Sequence, residues 1–127
     1  MFSHVVVGTN DLERARRFYD AVLGALGHAK GQRRAKGDYI YLSDGAPFIV
    51  TRPINGEPAS AANGGTIGFV CQSSDLVDLW HAAGIANGGQ SVEDPPGVRN
   101  TEGGPLYLAY MRDPDGNKLC ALHRLAA

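Results

Sequence analysis

The sequence predicts an α+β fold in which one βαβββ module occurs twice, giving a curved, cleft-bearing mixed β-sheet with its helices on the outside. Three observations predict this fold. A strand and helix signature repeats, since Thr66 follows His4 by 62 residues and Asp75 follows Asp11 by 64. Three further strand candidates follow each helix. A stretch rich in Gly, Pro, Ala and Asn, with no periodic pattern, separates the two halves.

The first module begins with a short β-branched run, Ser3–Gly8, which is typical of a strand. Thr9–Asp11 then gives a helix-start signal, and Glu13 completes the spacing of a capping box. Apolar residues recur at helical spacing over Leu12–Leu23. Gly24 follows directly, so we expect it to end the helix as a left-handed C-cap.

The second module repeats this order. Thr66–Cys71 predicts a strand, Ser73–Asp75 a helix cap, and Gly84 the end of the second helix. We therefore predict a single domain over residues 1–127, with module 1 at about 1–54, a linker at about 55–65 and module 2 at about 66–127.

The remaining strands are predicted from apolar or alternating runs bounded by turn residues. They lie at about 28–34, 38–43, 47–52, 89–93, 106–112 and 118–123. The last two flank Asp113–Asn117, in which proline and glycine suit successive positions of a tight turn. The Gly- and Pro-rich segment 94–105 is long for a loop in a compact domain, so we expect it to be a mobile flap.

Composition excludes several classes of function. The 127 residues carry a net charge of −1, so there is no basic surplus for a nucleic acid partner. No apolar run reaches the ~18 residues of a membrane-spanning helix, and the N-terminus does not resemble a signal peptide. Cys71 and Cys120 each lie within an apolar strand-like run. These features favour a cytoplasmic protein with reduced thiols.

The opening HVVVGTNDLERARRFYDAVLG and the closing YLAYMRDPDGNKLCALH resemble the first strand–helix unit and the final hairpin of the vicinal oxygen chelate superfamily. This superfamily comprises glyoxalase, bleomycin-resistance and dioxygenase-like proteins. The resemblance implies a small-molecule ligand in the cleft and a homodimer. It implies no single activity, because the fold hosts lyases, epimerases, dioxygenases and drug-binding proteins without enzymatic activity.

Metal-using members of this superfamily carry ligands at four strand positions, and the resemblance maps these onto four places in this chain. The first falls on His4, which matches the family. The second falls on Val50 or Thr51, the third on Thr66, and the fourth on Cys120 where the family usually has Glu. One matching ligand in four does not suit a divalent cation. We therefore predict no metal and no other cofactor.

Side chains expected in the cleft form the candidate ligand-binding site. They are His4, Tyr39, Val50, Thr51, Arg52, Thr66, Tyr110 and Cys120. Tyr39 belongs to an alternating run of which one face packs under the helix. Arg52 is interpreted either as a surface residue or as a clamp for an anionic group.

Three of these residues are candidate catalytic groups, each with a structural alternative. His4 is interpreted as a general base or ligand donor, or as a strand-edge histidine bonded to a carbonyl. Tyr110 is interpreted as a cleft phenol or a core aromatic. Cys120 is interpreted as a nucleophile or a small buried hydrophobe.

Two functions remain open at this point. The first is a glyoxalase-like protein that binds a small organic ligand without the family's metal. The second is a lyase or isomerase that acts next to a carbonyl, with His4 or Cys120 as base and Tyr110 or Arg52 polarising the oxygen. A partner-binding domain without a small ligand is a third class, for which no feature of the sequence speaks.

Overall fold

The computed structural model describes residues 1–126 and confirms the tandem βαβββ order. The elements are β1 Val5–Gly8, α1 Leu12–Ala25, β2 Gln32–Arg33, β3 Tyr39–Tyr41, β4 Phe48–Thr51, β5 Ile67–Val70, α2 Ser74–Ala86, β6 Gln90–Thr101, β7 Gly104–Arg112 and β8 Lys118–Arg124. The strand predicted at 28–34 is reduced to the two residues of β2. No helix within residues 1–126 is long and apolar enough to cross a membrane.

Each module builds its own four-stranded mixed sheet. The strand order is β1-β4-β3-β2 in the first and β5-β8-β7-β6 in the second. In both, the first strand pairs in parallel with the last strand of its module, and the other pairs are antiparallel. β1 and β5 are therefore edge strands of different sheets, and cavities lined by both lie between them. We call this gap the seam.

The N-cap of helix α1 lies one residue later than the predicted capping box would place it. Asp11 is the N-cap, and its carboxylate accepts a hydrogen bond from the backbone of Arg14. Glu13 instead binds Arg16 and the Tyr39 hydroxyl. Gly24 is helical, contrary to the prediction, because α1 continues to Ala25; Gly27 adopts the left-handed conformation, with φ of 91°.

Helix α2 begins at the predicted cap but runs past its predicted end. Ser73 is the N-cap, and its hydroxyl accepts a hydrogen bond from the backbone of Leu76. Gly84 lies inside α2, contrary to the prediction, and Gly88 is the left-handed residue beyond the helix.

The core lies between the two helices and the faces of the sheets that they cover. Both Phe18 and Tyr19 of α1 are completely buried, as is Trp80 of α2. The rings of Phe48 and Phe69 meet edge to face across the seam, with centroids 5.6 Å apart. This aromatic contact joins the two modules into one core.

Strand alternation decides which residues lie under the helices and which lie on the opposite, open face of each sheet. Val7, Tyr39 and Val50 are register partners and all are buried in the core. Tyr39 therefore lies in the core and not in the expected cleft, and of the two alternatives left open on β4, Val50 is the one buried in the core. Tyr39 is held under α1 because its hydroxyl donates to Glu13 at 2.8 Å. Thr51 lies on the open face.

The segment predicted as a flap is part of a long hairpin. β6 pairs with β7 up to Thr101, so residues 94–101 are strand and the chain turns around Glu102. The register shifts between Val92 and Gly97, and within this bulge Glu93 has a φ of 59°. A bulge accommodates the two prolines that would otherwise break the ladder.

The turn predicted at Asp113–Asn117 has a second role, because it fastens module 2 to module 1. Asp115 accepts hydrogen bonds from the Thr9 hydroxyl at 2.5 Å and the Asn10 backbone at 2.9 Å. It also pairs with the Arg14 guanidinium at 2.7 Å. Its side chain is 2% exposed, so these bonds replace those it would make to water.

Acid stability will depend on the buried Asp38 carboxylate. Arg34 donates two hydrogen bonds to it, which lower the pKa of Asp38 from 3.8 to about 2. Because the folded pKa lies below the unfolded one, this contribution is complete above about pH 4 and is lost as the pH falls through about 2. Between pH 4.5 and 2, urea unfolding of the wild type should lose about 1–2 kcal/mol more than that of Asp38→Asn. Equal losses in the two proteins would contradict this assignment.

Candidate functional site

Two cavities lie along the seam, and residues of both modules line each of them. The larger, of about 640 Å³, lies at the start of β1 and the end of β5. The smaller, of about 320 Å³, lies at the end of β1 and the start of β5. Both are lined by Ile67, so they adjoin the same strand. Their volumes lie in or near the range of small-molecule sites, which is about 300–1,000 Å³.

The larger cavity has a mixed lining, about equally polar and apolar, that includes aromatic side chains. Phe48 and Phe69 lie at its base, and exposed side chains of Phe2, Leu42 and Val70 surround it. Exposed apolar residues gathered around one concavity are typical of a ligand-binding or interaction site. Its polar lining groups include His28 and Asp44.

Gly68 leaves free space on this surface. It lies in the middle of β5, between Ile67 and Phe69, whose side chains pack towards the core. A Cβ added to Gly68 would meet nothing within 4 Å, and its backbone is not left-handed. A glycine inside a strand weakens that strand, and such a position often marks the close approach of a ligand or another backbone.

One row of register partners crosses the second sheet from Gly68. Gly68 pairs with Cys120, Cys120 with Tyr110, and Tyr110 with Val92, all on the open face. Cys120 is only 5% exposed. Burial is the main cause that raises the pKa of its thiol to about 11, and a hydrogen bond with Tyr110 acts in the opposite direction. The thiol is therefore neutral near pH 7, which argues against Cys120 as a base or nucleophile.

Tyr110 is held by charged neighbours. Burial is the main cause that raises the pKa of its hydroxyl above the ordinary value. The ammonium of Lys118 lies 4.8 Å from the centroid of its ring and forms an ion pair with Glu93. Lys118 also lines the smaller cavity, so it connects the row with the seam.

The other predicted site residues lie apart from this row. His4 is exposed and its ring contacts the Ser3 hydroxyl at 2.7 Å. Arg52 is exposed at the end of β4 and lines a separate cavity near Pro58. Thr66 lines the smaller seam cavity with Lys118. The structure thus brings Tyr110 and Cys120 together, and Thr66 and Lys118 together.

Gly68, Lys118 and Glu93 were not predicted. The one available signal was the glycine within the strand-like run TIGFVC. Lys118 and Glu93 are 25 residues apart in sequence and come together only through the β6–β7–β8 register.

The four positions at which the resemblance would place metal ligands do not fit a divalent cation. They provide one imidazole, from His4, a neutral hydroxyl at Thr51 and another at Thr66, and the neutral thiol of Cys120. Val50, the alternative to Thr51, points into the core. Within residues 1–126, no three His, Cys, Asp or Glu side chains are grouped so that they could hold a metal ion.

Comparison with known proteins identifies the family. The family model of the Glyoxalase/Bleomycin resistance protein/Dioxygenase superfamily matches residues 1–121. Among solved structures, a glyoxalase/bleomycin resistance protein from Albidiferax ferrireducens T118 is 57% identical, with a TM-score of 0.94 over 98% of this chain and 99% of that one. Comparison with curated proteins gave no match.

More distant structures share the fold. A glyoxalase-related enzyme from Fulvimarina pelagi is 21% identical, with a TM-score of 0.75 over 98% of this chain and 88% of that one. A lactoylglutathione lyase from Agrobacterium tumefaciens is 18% identical, with a TM-score of 0.66 over 97% of this chain and 92% of that one. The match over residues 1–121 and the 57% identical structure establish that this chain belongs to the Glyoxalase/Bleomycin resistance protein/Dioxygenase superfamily.

Proposed function

We propose that this protein binds a small, partly aromatic organic molecule in the seam between its modules, and that it does so without a divalent metal. The observation that carries the proposal is the larger cavity of about 640 Å³, with its aromatic base and the free space above Gly68. The donor set at the family's metal positions supports the metal-free part, since it offers one imidazole and otherwise neutral hydroxyl and thiol groups.

The volume of the larger cavity limits the size of the ligand. About 640 Å³ suits a molecule with one ring or two fused rings. Family membership supports two further proposals, that the protein is a cytoplasmic homodimer and that the ligand is a small metabolite or drug-like compound.

The binding proposal is tested by an NMR titration with a two-ring aromatic probe, 2-naphthamide, in the presence of EDTA. We expect the backbone amides of Gly68, Phe69 and Val70 to shift on binding. Gly68→Val should remove the binding, because the new side chain fills the cavity without backbone strain. Gly24→Val is the matched control, since the Cβ of that position also meets nothing within 4 Å but lies on α1.

Shifts confined to residues outside the seam, or binding that survives Gly68→Val, would contradict the proposed site. The lyase or isomerase alternative acts at the Tyr110–Cys120 pair and predicts turnover of a carbonyl compound that is lost in Tyr110→Phe. The neutral thiol of Cys120 weighs against this alternative.

A further inference from the structure

We propose that the molecule bound in the seam is an anion, a planar aromatic carboxylate whose carboxylate group binds Lys118 in the smaller cavity. This inference rests on the proposed function and extends it, because it specifies the charge of the ligand and its orientation. The observations that carry it are the lining of the smaller cavity, the charges on the open face of the second sheet, and the position of Gly68 in the larger cavity next to Ile67, which lines both cavities.

The smaller cavity offers donors suited to an anion. Ser60 and Thr66 contribute hydroxyls, and Lys118 lines the cavity while its ammonium group lies over the Tyr110 ring and pairs with Glu93. The amide hydrogens of Asn117 are already donated to Gly8 and Asp113. None of the residues that line this cavity is an Asp or a Glu. A carboxylate held by an ammonium group and hydroxyls forms charge-assisted hydrogen bonds, which are stronger than bonds between neutral groups.

The open face of the second sheet is also basic. Alternation along β6, β7 and β8 places four cationic side chains on this face, two at each end of an apolar middle. They are Lys118, Arg112, Arg99 and Arg124. Tyr110, Leu108 and Leu122 lie between the two ends. Such a surface attracts an amphipathic anion and orients it.

The ion pair with Glu93 leaves Lys118 available. Glu93 pairs with Lys118 from the bulge of β6, and its side chain is 48% exposed. Solvent-exposed ion pairs contribute little free energy, so the Lys118 ammonium group can turn from Glu93 on β6 towards a ligand carboxylate beside Thr66 on β5. Glu93 also has a left-handed φ of 59°, a conformation that β-carbon-bearing residues rarely adopt.

The larger cavity fixes the orientation of the ligand. Its far end carries Asp44, which would repel a carboxylate, whereas its base is formed by Phe48 and Phe69. The aromatic body therefore lies over Gly68 in the larger cavity, and the carboxylate reaches along β5 towards Thr66 and Lys118. Gly68 and Thr66 are two residues apart, a rise of about 6.7 Å along the strand, which one ring and its carboxylate can span.

The experiment compares 2-naphthoate with 2-naphthamide, which have nearly the same shape and differ in charge. We expect 2-naphthoate to bind on the order of tenfold more tightly, with the preference weakening at high salt. Lys118→Gln should remove the preference while it leaves the affinity for 2-naphthamide within about twofold. Lys30→Gln, which removes an exposed lysine from the loop after α1, is the matched control and should keep the preference.

The outcomes separate this inference from the proposed function. Equal affinities for the acid and the amide, with shifts at Gly68 in both titrations, would overturn the anionic ligand and leave the binding site standing. A preference for the acid that persists in Lys118→Gln would overturn the role of Lys118. Absence of binding by either probe would overturn both the inference and the proposed aromatic-binding site. Heteronuclear spectra of each variant verify that it is folded.

Discussion

Asp115→Ala is expected to lower the free energy of unfolding by about 3 kcal/mol, because it removes a buried carboxylate that three donors share. Thr9, Asn10 and Arg14 all donate to this side chain, and they belong to module 1 whereas Asp115 belongs to module 2. The substitution therefore weakens the attachment of the final hairpin to the start of α1. Urea unfolding at pH 7 measures the effect as a shift of the midpoint.

The control for this prediction is Asp44→Ala, which removes an exposed acidic residue from the loop before β4 and should change stability by less than about 0.5 kcal/mol. A double variant with Thr9→Ala should lose less than the sum of the single losses, because both substitutions break the same hydrogen bond. A loss below about 1 kcal/mol for Asp115→Ala would show that the turn does not fasten the modules.

Gly84→Ala is expected to destabilise the protein by about 2 kcal/mol, although alanine favours a helix over glycine by about 1 kcal/mol. A Cβ at this position of α2 would lie 2.1 Å from Cε and 2.2 Å from Sδ of Met111. Met111 is completely buried, so it has no free space into which to move. The glycine is thus required for the close packing of α2 on β7.

The matched control, Gly24→Ala, should have the opposite sign. Gly24 lies in the last turn of α1, its Cβ would meet nothing within 4 Å, and its backbone is not left-handed. Helix propensity alone therefore acts, and we expect stabilisation by about 0.5–1 kcal/mol. Thermal unfolding of the two variants measures both signs in one comparison. Stabilisation by both substitutions would contradict the packing of Met111 against α2.

The module order could be predicted because its signals are local. The caps at Asp11 and Ser73, the helical periodicity and the turn at Asp113–Asn117 each depend on a few neighbouring residues. The predicted ends of the helices were less accurate, since Gly24 and Gly84 have the sequence context of helix terminators but lie inside α1 and α2. In the structure Gly84 lies inside α2, where the absence of a Cβ leaves room for Met111, which is 27 residues away in sequence.

The faces of module 1 could not be predicted because alternation alone does not identify the covered side. Tyr39 and Ile40 are equally suited to either face, and the choice is made by α1, whose Glu13 accepts the Tyr39 hydrogen bond. The same pairing places Val50 in the core and Thr51 on the open face. The faces of the strands in the second module were easier to predict, since Tyr110 and Cys120 are register partners across one hairpin with a short turn.

The seam itself has no local signal. It arises from the packing of α1 on α2, which brings β1 and β5 near each other without pairing them. Gly68 and Lys118 therefore gain their significance only from tertiary structure. The β6 strand through residues 94–101 was missed for a related reason, since a bulge accommodates the two prolines and the pairing of Gly97–Thr101 with β7 compensates for the local preference of the glycine.

The metal content of the purified protein tests the central claim most directly. The chain is soaked in excess zinc, nickel, manganese or iron(II), desalted, and analysed for metal per chain. If the seam binds its ligand without a divalent cation, we expect well below one metal ion per chain under every condition. The reason is that the four positions at which the family carries metal ligands offer only one imidazole among neutral hydroxyl and thiol groups. About one metal per chain, lost in both His4→Ala and Cys120→Ala, would contradict the account and restore metal-dependent glyoxalase-type chemistry.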